Sequence, residues 1–433
     1  MTGAVALGTG AAPAAVLKRH VAAAVAGNAL EFYDFTTYAF FAVQVGHAFF
    51  PNKSEFISLI LSLGTFGVGF LLRPVGAVVI GRYADRVGRR PAMLFSLSLM
   101  GVSVLGLALT PTFAQIGLAA PIIVLAWRLI QGFALGGEVG PTTSYLVEAA
   151  PPQRRALYSA WQGASQSLAA IAGGGVGFAV ANLAGQAGLE AWGWRLAFGL
   201  GALILPVGYW LRRTLPETLH RPDEGPKAHP PQADVRGHMG IFLIGLGLIS
   251  AGTVGTYVNS FMTTYAITTL HVPARISLSL PIVTGLVAVV SCLAGGVLSD
   301  RWGRKPFLVG ARAGLLILAL PVFWLIVRNH DTWTLLAGAA LLNAISNFGA
   351  GALYAGLIES MHRELRGAGF GLVYSLAVSV VGGATQPFIA WLIHVSGNPL
   401  SPAWCMMAVN VVGLIAALAF RESAHVRLVS KEV

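Results

Sequence analysis

Charged residues are scarce in this sequence. Asp, Glu, Lys and Arg make up only 10% of its 433 residues, whereas 55% are hydrophobic. A soluble protein carries roughly a quarter charged residues, so this chain has too few to cover a water-facing surface. The composition excludes a soluble protein and predicts one that lies in a lipid bilayer.

Cysteine is also nearly absent. Cys292 and Cys405 both fall in hydrophobic runs and predict neither a disulfide framework nor a metal site. The ten histidines are scattered and suggest no pair of nucleophile and base, which argues against a membrane enzyme. We therefore expect no bound cofactor. The N-terminus lacks a charged start followed by a cleavage site, so no cleaved signal peptide is expected.

What the sequence does contain is a series of long hydrophobic runs. Each has the roughly 20 residues that a membrane-spanning helix needs. The runs predict twelve helices, at residues 17–45, 55–82, 91–110, 116–149, 154–183, 191–213, 239–270, 275–299, 305–327, 332–361, 366–395 and 400–421.

The positive charges indicate orientation rather than nucleic-acid binding. The formal net charge is +11. With the N-terminus inside, most Lys and Arg residues fall on the cytoplasmic side, as the positive-inside rule requires. We predict a multi-pass protein of the bacterial inner membrane with both termini in the cytoplasm and no nucleic-acid partner.

A basic loop that occurs twice organises the chain. Its first copy spans residues 81–90 and its second spans residues 296–305, each at the end of a hydrophobic run. Equivalent loops half a chain apart indicate a duplicated unit. The predicted fold is an all-α membrane protein with two pseudo-symmetric six-helix bundles. Its expected parts are a disordered N-terminus (1–16), a first bundle (17–213), a cytoplasmic linker (214–238), a second bundle (239–422) and a cytoplasmic tail (423–433).

Three polar residues of the first helix, Asn28, Glu31 and Asp34, share one helical face near mid-membrane because they are three residues apart. An ionisable side chain at the bilayer centre costs about 2.5–3.5 kcal/mol, so it usually faces a cavity and has a function. Glu31 and Asp34 are therefore candidates for carrying a coupled proton, with Glu138 as a third acid. The alternative is that the two acids of the first helix only neutralise buried arginines.

Two arginines inside predicted helices, Arg73 and Arg128, are candidates for binding an anionic substrate. A guanidinium group binds a carboxylate with two parallel hydrogen bonds and stays charged. For Arg128, the alternative is a structural pairing with Glu138. Arg73 lies too far from its helix end for the side chain to reach the interface. Arg312 lies only one or two turns from the interface, so we expect its side chain to extend to water.

Further polar residues in the predicted helices are candidates for contacting the substrate. For each of them the alternative is a polar contact between helices. They are Asn28, Gln131, Gln162, Gln166, Tyr257, Asn343 and Asn347.

The repeated loop and nearby acids predict a cytoplasmic gate that ties the two halves together. An acid such as Asp85 suits the positive N-terminal end of a neighbouring helix. The alternative is that the loop only enforces orientation. The predicted gate residues are Gly81, Asp85, Arg86, Arg89, Glu148, Asp300, Arg301, Arg304 and Glu359.

The repeated loop resembles the signature of the major facilitator superfamily, and Arg128-x-x-Gln131-Gly132 resembles that superfamily's helix-four signature. Other stretches narrow the resemblance to the metabolite:proton symporter family, and most closely to its citrate– and tricarballylate–proton symporters. Those stretches are residues 28–34, 70–77, 128–138, 192–195 and 215–218. The resemblance implies alternating access around a central site.

The function expected from this resemblance is the import of a small organic anion, a tricarboxylate such as citrate, with a proton. We expect the chain to act as a monomer. Alternatives with the same fold are H⁺ or Na⁺ symport of another organic acid (2-oxoglutarate, a dicarboxylate or a shikimate-like acid), or of a zwitterion such as betaine. A drug-exporting antiporter is a further alternative, but the antiporter signature of helix five, a Gly-Pro followed by paired glycines, is missing.

Overall fold

The computed structural model describes residues 14–87, 89–136, 139–148, 150–213, 235–361 and 366–424. These residues form twelve long helices and contain no strand, which confirms the predicted all-α fold. Some helices consist of consecutive segments. They are α1 (Ala14–Phe40 and Ala42–Phe49), α2 (Glu55–Val68, Gly69–Leu72 and Arg73–Val87), α3 (Arg89–Leu109), α4 (Ala119–Leu135 and Val139–Glu148), α5 (Arg155–Leu183), α6 (Gly185–Gly188, Leu189–Gly193, Trp194–Gly201 and Ile204–Arg213), α7 (Val235–Thr268), α8 (Leu280–Trp302), α9 (Lys305–Asn329), α10 (Thr332–Phe348 and Ala350–Glu359), α11 (Arg366–Ala377, Val378–Gly382 and Gly383–Ser396) and α12 (Ser401–Ala419).

Short helical turns at Phe113–Ile116, Pro152–Arg154 and Ala274–Ser277 lie in the connecting segments. Within the described ranges, nine of the long helices have the length and apolar character to cross a membrane. Shorter apolar helices lie at Leu94–Leu109 and Ala119–Leu135. The structure is therefore that of a multi-pass membrane protein.

Three helices change pitch along their length, which the hydrophobic runs did not predict. The helix α2 tightens into a 3₁₀ turn at Gly69–Leu72, directly before Arg73. Both α6 and α11 contain a π-helical turn, at Leu189–Gly193 and Val378–Gly382 respectively. Such turns are frequent at functional sites. The hydrophobic length of a span does not depend on these local changes, so the sequence alone predicted uninterrupted helices.

The helices α1–α6 form one bundle and α7–α12 form a second. The bundles meet where α2 packs on α11 and where α5 packs on α8 and α10, with further contacts between α1 and α7 and between α4 and α11. The internal repeat relates α2 to α8 and α5 to α11, so the α2–α11 and α5–α8 contacts are equivalent. Residues 1–13, 214–234 and 425–433 lie outside the described residues, and the predicted boundaries of the terminal segments and the linker stay predictions.

Glycines allow α2 to approach two neighbours closely. A Cβ atom on Gly132 of α4 would lie 1.5 Å from the carbonyl oxygen of Gly69, and one on Gly67 would lie 2.4 Å from the carbonyl oxygen of Gly383 on α11. Only glycine permits such backbone-to-backbone contact. The helix that carries Arg73 is thereby held against both α4 and the second bundle.

Candidate substrate and proton site

Asp34 of α1 and Arg128 of α4 are almost completely buried, with 1% and 3% of their surface exposed. The Oδ2 atom of Asp34 lies 3.5 Å from Nη1 of Arg128. The same nitrogen donates a hydrogen bond of 2.5 Å to Oε1 of Gln131. The guanidinium carbon also lies 3.7 Å from the centre of the Tyr38 ring. The structure thus brings a predicted proton-carrying acid against a predicted substrate-binding arginine.

This ion pair leaves several hydrogen-bonding atoms unused. Oδ1 of Asp34, Nε and Nη2 of Arg128 and Nε2 of Gln131 are buried and have no hydrogen-bond partner in the described part of the chain. An unsatisfied buried polar group costs about 1–3 kcal/mol. The cluster therefore has free capacity to take a proton on Asp34 or an anion on Arg128.

Arg73 of α2 has 4% of its surface exposed, as expected for a side chain too deep to reach the interface. Its guanidinium carbon lies 4.2 Å from the ring centre of Phe70 and 5.1 Å from that of Phe35. Among the described residues no carboxylate pairs with it, and its Nε has no hydrogen-bond partner. The rings of Phe35 and Phe70 also contact that of Tyr257 of the second bundle, with ring centres 5.9 and 5.6 Å apart. Arg73 lines a separate, small cavity together with Asp34 and Arg128.

Two adjoining cavities of about 60 and 80 Å³ lie between the bundles. Both are lined by Gln166 of α5, Tyr257 of α7 and Asn347 of α10, and the larger is also lined by Asn343. Four of the predicted substrate contacts therefore surround one central space. Cavities of this size hold a few water molecules.

Asn343 connects the polar lining of the larger cavity. Its Oδ1 atom accepts hydrogen bonds from Nδ2 of Asn259 at 2.9 Å and from Nδ2 of Asn347 at 2.8 Å. Its own Nδ2 donates to the carbonyl oxygen of Thr284 at 3.0 Å. These bonds join α7, α8 and α10, so the amides of the second bundle are held in defined positions at the cavity wall.

Asn28 and Gln162 form a hydrogen bond with each other and do not line the central cavities. Nε2 of Gln162 donates to Oδ1 of Asn28 at 2.9 Å, and Nδ2 of Asn28 donates to Oγ of Ser165 at 2.6 Å. These bonds link α1 to α5 within the first bundle, and neither residue lines the two cavities. The contacts match the alternative of a polar link between helices, and the role of these residues in substrate binding stays a prediction.

The structure describes two of the three acids that we predicted as proton carriers. Asp34 faces Arg128, whereas Glu31, nearly one turn earlier on α1, is buried and lines neither cavity. Glu138 lies outside the described residues. Which of the three carries a proton stays a prediction.

Arg312 of α9 does not extend to water, and that expectation was wrong. Only 2% of its surface is exposed, it lines the smaller cavity, and its Nη1 lies 3.4 Å from Oδ1 of Asn410 on α12. Distance to a helix end can be counted from sequence, but the direction of a side chain depends on which face of the helix packs inward. Its one signal in the sequence was a charge within an apolar run.

Three predicted gate residues form a cluster where α8 meets α9. Both carboxylate oxygens of Asp300 accept 2.9 Å hydrogen bonds from the backbone nitrogens of Ala156 and Leu157 on α5. Arg304, 1% exposed, bonds to Asp300 at 2.7 Å and to both oxygens of Glu359 at 3.1 and 3.2 Å. Burial lowers the pKa of Arg304, but the bonds and charges of Glu359 and Asp300 together outweigh burial and raise it. The guanidinium therefore stays charged.

The other predicted gate residues either have exposed side chains or have side chains that the structure does not describe. Arg301 and Glu148 are exposed. Arg155 of α5, which we did not predict, lies 3.8 Å from Glu359 of the other bundle. The surroundings of Gly81, Asp85, Arg86 and Arg89 fall outside what the structure describes.

The C-terminal segment also contacts this cluster, which sequence reasoning missed. Glu422 accepts hydrogen bonds from the backbone nitrogens of Arg304 and Lys305 at 2.8 and 3.1 Å. Oγ of Ser423 donates to Oε2 of Glu359 at 3.0 Å. A carboxylate at the start of α9 is favoured by the helix dipole, but the pairing joins segments that are far apart in sequence.

Comparison with known proteins agrees with this architecture. Residues 24–387 match the family described as the Major Facilitator Superfamily. The chain belongs to this superfamily. A citrate-proton symporter of Salmonella typhi is 36% identical over 397 residues, which cover 90% of this chain and 91% of that protein. A glycine betaine/proline/ectoine/pipecolic acid transporter, OusA of Dickeya dadantii, is 32% identical over 426 residues, covering 94% of this chain and 84% of that protein.

This major facilitator protein also shares its fold with a solved structure. The proton:xylose symporter XylE matches with a TM-score of 0.76 and 18% sequence identity, covering 93% of this chain and 95% of that one. At this identity the likeness shows the fold alone. Family and fold together make the protein a multi-pass membrane transporter and not an enzyme.

Proposed function

We propose that this transporter imports a citrate-like tricarboxylate together with a proton by alternating access. The observation that carries the proposal is the buried guanidinium of Arg73, which has no carboxylate partner among the described residues. A buried charge without a partner is strongly unfavourable. An anionic substrate would supply the missing partner, close to the Phe35 and Phe70 rings that contact Tyr257. The 36% identical citrate-proton symporter supports the choice of substrate.

Proton coupling would follow from Asp34 and Arg128. With the site empty, Arg128 stabilises the ionised carboxylate of Asp34 across their 3.5 Å contact. A bound anion competes for the same guanidinium, and a carboxylate that loses a cationic partner binds a proton more tightly. Binding of the anion and of the proton therefore promote each other, as symport requires. The coupling ion in this proposal is H⁺, and Na⁺ is the alternative.

In this proposal the protein works as a monomer in the bacterial inner membrane, with both termini in the cytoplasm. The positive-inside rule supports this orientation. It assigns the cluster of Asp300, Arg304 and Glu359 to the cytoplasmic end, where it would close the path on that side.

Uptake by proteoliposomes tests the proposal. Purified protein is reconstituted, and uptake of labelled citrate is measured with an inward proton gradient, with an inward Na⁺ gradient and with neither. We expect accumulation above the external concentration only with the proton gradient, and its loss on adding a protonophore. Accumulation that requires Na⁺ would exclude proton coupling.

A zwitterion such as betaine is the second candidate substrate, because the OusA relative is 32% identical over nearly the whole chain. Unlabelled betaine, 2-oxoglutarate and shikimate, each in the same excess, are compared as competitors of citrate uptake. We expect the carboxylates with two or more charges to compete and betaine not to. Labelled betaine accumulating where citrate does not would establish the second candidate.

A further inference from the structure

We infer that Arg312 is a second carboxylate-binding arginine, contributed by the bundle opposite Arg73, and that the transporter selects anions with carboxylates at both ends. This inference rests on the proposed function and adds the residue that sets substrate class. Arg312 comes from α9 and lines the smaller central cavity together with Gln166 of α5 and Tyr374 of α11. The cavity wall thus contains a charged residue of the second bundle in addition to the predicted contacts Tyr257 and Asn347.

The surroundings of Arg312 do not neutralise it. Its one polar contact in the described structure is the neutral amide of Asn410, at 3.4 Å from Nη1. Its Nε is buried and has no hydrogen-bond partner in the described part of the chain, and no described carboxylate pairs with it. A buried charged residue in a membrane span normally pairs with an opposite charge or with backbone carbonyl groups. An arginine left unpaired at a cavity wall is arranged to receive an anion from the cavity.

Two glycines leave room for the Arg312 side chain between helices. A Cβ atom on Gly252 of α7 would lie 3.3 Å from Nη2 of Arg312, and one on Gly413 of α12 would lie 3.0 Å from its Cδ. Asn410 lies one turn before Gly413 on the same helix. The side chain therefore passes between α7 and α12 through a gap that larger residues would narrow, and Arg312 lines the cavity.

Arg73 approaches the same group of residues from the first bundle. Its guanidinium group packs on the rings of Phe35 and Phe70, and both rings contact that of Tyr257. Tyr257 and Tyr374 line the cavity that Arg312 lines. Tyr354 lines the same cavity, so three tyrosines surround it. Two guanidinium groups without carboxylate partners among the described residues therefore lie near this tyrosine-lined space: Arg312 in its wall, and Arg73 behind the rings of Phe35 and Phe70 that contact Tyr257.

This arrangement defines the ligand class. An aliphatic acid with a carboxylate at each end contacts both guanidinium groups at once, whereas an acid with one carboxylate neutralises only one of them. A bridging ligand also holds the two bundles together, so it favours the closed state over states in which the bundles separate. The inferred ligand is a short-chain di- or tricarboxylate.

The test compares citrate with its terminal monoamide, which lacks one end carboxylate, in equilibrium binding to the purified full-length protein. We expect Arg312→Gln to bind citrate about tenfold more weakly than wild type, since one charge-assisted hydrogen-bonded pair is lost. The same variant should bind the monoamide as wild type does. The matched control is Arg328→Gln, an exposed arginine of the same helix that stacks on Trp324.

The outcomes separate the inference from the proposed function. Wild-type protein that binds no carboxylate overturns the proposed function itself. If wild type binds citrate and Arg312→Gln also binds it normally, or loses citrate and monoamide equally, only the bridging role is overturned. Size-exclusion profiles and melting temperatures check folding. If Arg312→Gln does not fold, Arg312→Lys replaces it, and an unchanged ratio of citrate to monoamide affinity in that variant contradicts the inference.

Discussion

Asp300 of the second bundle caps α5 of the first, with its Oδ1 atom 2.9 Å from the backbone nitrogen of Ala156. The first turn of a helix has unpaired N–H groups and a partial positive charge, which a carboxylate satisfies. This cap is supplied by the other bundle. It therefore exists only while the bundles are closed at this end, and its energy stabilises that closed state.

Replacing Asp300 by Asn should increase the fraction of molecules in which the two bundles are separated at the start of α5. The loss of the carboxylate charge removes about 1 kcal/mol of charge–dipole stabilisation. The measurement is maleimide labelling of Cys292, which is buried with its Sγ 3.1 Å from the carbonyl oxygen of Ala160 on α5. In a Cys405→Ser background, we expect labelling of Cys292 to be faster by roughly fivefold for a shift of this size.

Asp331→Asn is the matched control for that experiment. Asp331 caps α10, accepting a hydrogen bond from the backbone nitrogen of Thr334 at 2.8 Å. It lies at the opposite end of α9 from the gate cluster, so labelling of Cys292 should not change. The repeat makes Asp85 the counterpart of Asp300, and we expect Asp85→Asn to increase labelling as well. Unchanged labelling in both gate variants would mean that the loops only enforce orientation.

Arginine-to-lysine changes test substrate recognition in the first bundle. Arg73→Lys and Arg128→Lys keep the charge but lose the planar group that binds a carboxylate with two hydrogen bonds. Each should weaken citrate binding by roughly 10- to 100-fold, equivalent to about 1.5–3 kcal/mol. Isothermal titration of the purified variants measures this directly. Wild-type citrate affinity in both variants would show that neither Arg73 nor Arg128 binds the substrate.

Asp34→Asn tests proton coupling. Because the amide cannot take up a proton, uphill uptake driven by a proton gradient should be abolished. Exchange of labelled for unlabelled citrate should continue, since it needs no net proton movement. Glu31→Gln is the parallel variant and should still accumulate citrate. If both variants accumulate citrate against a gradient, coupling does not run through α1, and Glu138 is the next acid to replace.

Asn28→Ala distinguishes a link between helices from a substrate contact. The change removes the hydrogen bonds to Gln162 and Ser165 and should lower the free energy of unfolding by about 1–3 kcal/mol. Citrate affinity should stay unchanged. Gln166→Ala is the comparison, since Gln166 lines both cavities and should affect affinity more than stability. A large loss of citrate affinity in Asn28→Ala at wild-type stability would show that Asn28 contacts the substrate.

The sequence by itself determined the membrane location, the twelve helices and the duplication. It also identified Asp34, Arg73 and Arg128 as charges buried in the bilayer. Each of these rests on a local property: the length of an apolar run, a repeated loop, or an ionisable residue too deep in a span to reach water. The cost of exposing polar groups to lipid makes such local signals reliable.

Only the tertiary structure decided which side chains meet. It turned Arg312 inward to a central cavity, paired Asn28 with Gln162 and placed Asp300 on the first turn of α5. These contacts join residues of different helices. They depend on the rotation of each helix about its axis and on the close approaches that glycines permit. Neither quantity is contained in the hydrophobic pattern, because a helix buried on most sides has no single apolar face to indicate its orientation.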